Sequence, residues 1–139
     1  MFNHILVPTD LTERSLKAVE IALKMAMNQA CGVTLLHVIE TIDDTEGNEF
    51  QEFYRKLEKR AVRRMEQIAT LYPECEKIVR REIIYGKRVR EIVRYAKETD
   101  IDLIVLSSHR IDVRDPNAGW GSISYKVSIL SDCPVMLVK

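Results

Sequence analysis

Residues His4–Ile39 read HILVPTDLTERSLKAVEIALKMAMNQACGVTLLHVI. The stretch opens on an aliphatic, β-branched run ended by Pro8, the pattern of a buried strand. The period then changes. Leu16, Val19, Leu23, Ala26 and Ala30 recur every three or four residues and make one face of a helix. Thr12 is placed to cap that helix, and Glu13 faces the positive end of its dipole. Gly32 is placed to stop it. VTLLHVI, Val33–Ile39, is a second apolar strand.

The same alternation runs to the end of the chain. An acidic loop begins at Glu40, and a long helix follows over residues 49–71 with Phe50, Tyr54, Leu57, Ala61, Ile68 and Leu71 in phase. Tyr72-Pro73 ends it, because the residue before proline avoids the helical region. KIVRREIIYG contains a third strand, and RVREIVRYAKET is a third helix with Val89, Ile92, Val93 and Ala96 inward. DLIVLSS is a fourth strand, and a helix over residues 121–130 runs through Ile123, Val127 and Leu130. PVMLVK closes the chain as a fifth strand. Strict alternation with near-continuous apolar strands predicts an α/β fold: a five-stranded parallel, doubly wound sheet with four helices on its two faces.

The bulk numbers agree. The 139 residues are 46% hydrophobic and 30% charged, which fits one globular domain over residues 1–139. No apolar run reaches the roughly 18 residues of a membrane span. The N-terminus lacks the pattern of a secretory signal, so a cytoplasmic protein is expected. Cys31, Cys75 and Cys133 are scattered and read as reduced thiols. A basic stripe of Arg55, Lys56, Lys59, Arg60, Arg63 and Arg64 lies on the long helix. With a net charge of zero it reads as a solvated, ion-paired face, which argues against a nucleic-acid partner.

An open parallel sheet binds ligands beyond the carboxyl ends of its strands, where the winding reverses. Right-handed crossovers allow the strand order 3-2-1-4-5, which puts the reversal between strands 1 and 4. The loops after those strands are Pro8–Thr12 and Ser107–Trp120. Both lead into helix N-termini, which offer unpaired N–H groups and partial positive charge.

ILVPTDLTERSLKAVEIALKMA, VTLLHVIE, IIYGKRVREIVRYAKETDIDLIVLSSH and GSISYKVSILSDCPVMLVK together resemble the universal stress protein family across essentially the whole chain. The resemblance implies the same strand order and a homodimer. One branch of that family binds ATP through the pattern G-x2-G-x9-G-(S/T). Carried over, Pro8, Thr9 and Asp10 approach adenine and ribose, Val38 lines the base pocket, and Gly121, Ser122, Ile123 and Ser124 meet the phosphates. The first two glycines of the pattern fall on Ser107 and Arg110, and ten residues rather than nine separate Arg110 from Gly121. Three readings of Arg110 stay open: an exposed loop residue, a plug in the phosphate channel, or a guanidinium that binds phosphate in place of backbone donors.

Other signals carry less. His109 beside Ser107, Ser108 and Asp112 does not make a catalytic triad, because neighbours on one loop rarely reach that geometry. His4 and His37 alternate with apolar residues and read as edge or core positions. Gly86-Lys87-Arg88 is not a Walker loop. Trp120 suits packing against the sheet better than base stacking. PVMLVK is an apolar edge strand, suited to pairing with a second copy across a two-fold axis.

Two functional readings follow. One is a non-enzymatic stress-response regulatory protein with an altered or vestigial nucleotide site, acting as a homodimer on an unidentified protein partner. The other is a working ATP- or AMP-binding member, with Mg and at most slow ATP hydrolysis. The departures at Ser107 and Arg110 favour the first; Asp10 and Gly121-Ser122 favour the second. A nucleotidyl-transferring or electron-transfer relative is a third class, but no catalytic lysine or flavin motif supports it.

Overall fold

The computed structural model describes residues 1–42, 50–108 and 122–139. Arg110 and Gly121 lie outside the described residues, as do His109, Asp112 and Trp120. Five strands, β1 (His4–Pro8), β2 (Gly32–Glu40), β3 (Val79–Gly86), β4 (Leu103–Ser107) and β5 (Val135–Val138), form one sheet in the order β3-β2-β1-β4-β5. Every pairing is parallel, with Pro8 opposite Leu36, Ile5 opposite Leu103 and Ser107 opposite Val138. The expected strand order is therefore the observed one.

Four helices cover the sheet: α1 (Leu16–Ala26), α2 (Gln51–Thr70), α3 (Arg88–Glu98) and α4 (Ile123–Leu130). The two-residue alternation of the strands divides the core in two. Ile5, Val7, Val33, Leu35, Leu103 and Val105 pack with α1 and with Met65 and Ile68 of α2. Leu6, Leu36, Val38, Ile104 and Leu106 pack on the other face with Ile92 and Ala96 of α3 and Val127 of α4. β1 and β4 are buried along nearly their whole length, which is why their apolar runs stand out in the sequence, whereas β3 is half-exposed and carries Arg80, Arg81 and Glu82.

Element ends depart from expectation in informative ways. Thr12 does not cap α1 with its side chain; its hydroxyl donates to Asp10 Oδ1, and a 3-10 turn, Glu13–Ser15, precedes α1. Gly32 is not the stop of α1 either. The helix ends at Ala26, and Asn28 takes the left-handed conformation (φ 63°) that asparagine tolerates better than most residues, so Gly32 is free to open β2. In α2 the buried residues are Ala61, Met65 and Ile68, while Leu71 is exposed. In α4, Val127 is buried, whereas Leu130 is exposed beside Ile129 and Tyr125. Gly86 turns β3 into α3 at φ 146°, where an added Cβ would sit 2.5 Å from Glu91 Cγ. The three thiols are unpaired, with Cys31 and Cys75 buried.

Candidate functional site

The site begins where β1 ends. Thr9 N–H still donates to the Leu36 carbonyl at 2.8 Å, but the chain then turns away and leaves the end of β2 uncovered on that side. The turn is held from within. Thr9 Oγ1 accepts the Leu11 N–H at 3.0 Å and meets Ser15 Oγ at 2.8 Å, so this buried hydroxyl builds the loop. Asp10 Oδ1 accepts both the N–H (3.0 Å) and the hydroxyl (2.5 Å) of Thr12. Leu11 stands at φ 68°, a left-handed conformation that costs a leucine about 1–2 kcal/mol.

The other wall comes from β4 and α4. Ser107 ends β4, and the Ser108 N–H donates to Val138, extending the β4–β5 ladder. Ser122 caps α4, its hydroxyl accepting the Tyr125 N–H at 3.4 Å. Ser124 Oγ lies 3.2 Å from both Ser122 Oγ and Ser108 Oγ. This hydroxyl chain stands at the positive end of α4, where an anion is favoured.

Between the walls lies a pocket of about 400 Å³, within the roughly 300–1,000 Å³ range of small-molecule sites. Leu36, Val38, Ile92, Leu106 and Ile123 make its apolar side; Asp10, Ser107, Ser122 and Ser124 make its polar side. All eight expected site residues that are described, Pro8, Thr9, Asp10, Val38, Ser107, Ser122, Ile123 and Ser124, line this one pocket.

The sequence reading missed His37 and Arg88. His37 is half-buried at the pocket, and its Nδ1–H donates to the Thr9 carbonyl at 2.9 Å. Burial, aided by the Arg88 charge, holds its pKa below the ordinary 6.5, against the opposing pull of the Thr9 bond and Asp10. Its expected role as an edge or core residue thus fits His4, bonded to Thr34 Oγ1 at 2.8 Å, better than His37. Arg88 opens α3 and lines the pocket, because the β3–α3–β4 crossover passes over the two strands, β2 and β1, that lie between β3 and β4. Asp10 is also shifted. Burial pushes its carboxyl up, but the Thr12 hydroxyl and amide, its own amide and Arg88 outweigh this and hold it below the ordinary 3.8.

The universal stress protein family model matches residues 1–139. The chain belongs to the universal stress protein family. This universal stress protein is 32% identical to Universal stress protein YxiE of Bacillus subtilis, with both chains covered end to end. It superposes on MJ0577 of Methanocaldococcus jannaschii with a TM-score of 0.74 at 27% identity, over all of this chain and 96% of that one. The Archaeoglobus fulgidus universal stress protein solved in complex with dAMP shares the fold, with a TM-score of 0.67 at 18% identity over 99% and 98% of the two chains. Among the described residues, no group of His, Cys, Asp and Glu could hold a metal ion, and no helix is long and apolar enough to cross a membrane.

Proposed function

We propose that this universal stress protein is a non-enzymatic regulatory protein whose pocket binds an adenine mononucleotide, AMP in preference to ATP. The observation that carries this reading is one pocket lined by apolar side chains, by Asp10 and by the serines at the N-terminal end of α4. The base lies against Leu36, Val38, Ile92 and Leu106. Asp10 Oδ1 is committed to Thr12, so Oδ2 is the oxygen left for a ribose hydroxyl. A single phosphate sits at the Ser122 end of α4. The dAMP complex of the A. fulgidus relative supports the choice of an adenine monophosphate.

The preference for AMP rests on the altered phosphate loop. Ser107 stands where the ATP-binding pattern has glycine, and its Cβ takes space that a longer phosphate chain would use. ATP binding is the second reading, favoured by the intact Ser122 cap of α4.

The working assembly in this proposal is a cytoplasmic homodimer paired through β5. Exposed Tyr125, Ile129 and Leu130 of α4 and Met136 of β5 supply apolar surface beside that edge. The test is to denature the purified protein, identify what it releases, and then titrate the stripped protein with AMP and ATP by calorimetry. AMP binding at least as tight as ATP supports the proposal; ATP tighter by tenfold or more supports the second reading.

A further inference from the structure

The two carbonyls that flank Asp10 are both held from outside the loop. The Thr9 carbonyl accepts His37 Nδ1–H of β2 at 2.9 Å. The Leu11 carbonyl accepts Arg64 Nε–H of α2 at 2.9 Å, across 53 positions of sequence. The same guanidinium reaches Gln67 Oε1 at 3.3 Å, one turn along its own helix, which fixes its plane. A left-handed leucine persists only where its surroundings over-determine it. At Leu11 the amide is held by Thr9 Oγ1 and the carbonyl by Arg64. The neighbouring residue Asp10 is the acidic group among the described residues that line the pocket, so the geometry of Leu11 sets where that carboxylate stands.

This assigns Arg64 a task different from that of the stripe it belongs to. Arg55 meets Glu52 at 3.4 Å in an exposed i,i+3 pair, as a solvated helix face should. Arg64 instead spends its Nε–H on a backbone carbonyl of the site loop. A charged donor on a carbonyl, partly shielded from water, is among the stronger hydrogen bonds a side chain can offer.

We propose that Arg64 is a positioning residue: by holding the Leu11 carbonyl it keeps Leu11 left-handed, aims the Asp10 carboxylate into the pocket, and ties the site to α2. The positioning rests on the described loop alone, while its effect on ligand affinity rests on the nucleotide reading above. Coupling is reciprocal: a ligand that engages Asp10 also favours the Arg64–Leu11 bond and so steadies α2.

The test is a double-mutant cycle of Arg64→Met and Leu11→Gly, read by two methods. Methionine keeps the apolar stem and removes the donor. Glycine takes the left-handed conformation without the Cβ penalty. In the ligand-free protein, Arg64→Met should move the Leu11 13Cα and 13Cβ shifts out of their left-handed values and raise the Asp10 titration midpoint. For AMP, Arg64→Met should weaken binding roughly tenfold or more in the Leu11 chain, and no more than about threefold in the Leu11→Gly background. Unchanged Leu11 shifts in Arg64→Met overturn the proposal, as does an equal loss of affinity in both backgrounds. If Arg64→Met does not fold by circular dichroism, Arg64→Gln is read in the same way. If the wild type binds no AMP, the nucleotide reading fails, and the carbon shifts alone decide the positioning role.

Discussion

Asp10, just past the end of β1, and His37 of β2 line the same pocket. Pro-x-Asp at the end of an apolar strand marks Asp10, because the fold puts strand ends at the site. His37 carries no such mark. Strict alternation tells which sheet face a residue is on, and nothing in it tells that β1 stops opposite Leu36 and leaves β2 unpaired on that side from His37 onward. Asp10→Ala should weaken AMP by roughly tenfold or more, as expected for loss of a charged hydrogen bond, and calorimetry reads it directly. His37 makes a pH prediction. Its folded pKa is depressed, so between 6.5 and that lower value the unfolded chain binds more protons than the folded one. The stability this residue contributes is complete above 6.5 and is lost as pH falls through the folded pKa. Urea unfolding at about pH 7 and about pH 5 should show that loss, and His37→Phe should remove its share of the slope.

At the scale of elements, the apolar periods located the five strands and the four α-helices, because β1, β2 and β4 are largely buried on both faces and read as apolar runs, whereas the 3-10 turns Glu13–Ser15 and Pro73–Cys75 carry no such period. The ends were harder to read. Thr12 suits a cap by residue type, but a nearer acceptor, Asp10 Oδ1, takes its hydroxyl. Leu71 and Leu130 keep the helical period but stand at the C-terminal ends of α2 and α4, where both are exposed. Two substitutions test element ends. Ser122→Ala removes the cap of α4; its 3.4 Å bond to Tyr125 places the cost at the low end, about 0.5–1 kcal/mol, in thermal unfolding. Gly86→Ala forces a side chain into φ 146° and toward Glu91, and should cost about 1 kcal/mol or more.

For the whole molecule, topology does the selecting. The order β3-β2-β1-β4-β5 sends β1 and β4 into neighbouring loops and makes their carboxyl ends the natural place for a ligand. That much follows from handedness and alternation. Whether the pocket is open does not, since it depends on how Val38, Ile92, Leu106 and Ile123 space themselves around it. The same topology leaves β5 as an edge with apolar neighbours. Sedimentation at micromolar concentration should show a dimer for the wild type and a monomer for Leu130→Asp, which puts a charge into that surface.

Calorimetric titration of nucleotide-stripped protein with AMP decides whether the pocket takes an adenine mononucleotide. Saturable heat with one AMP per chain is expected, with binding at least as tight as that of ATP and weakened by Asp10→Ala. No heat and no thermal protection at millimolar AMP would contradict it.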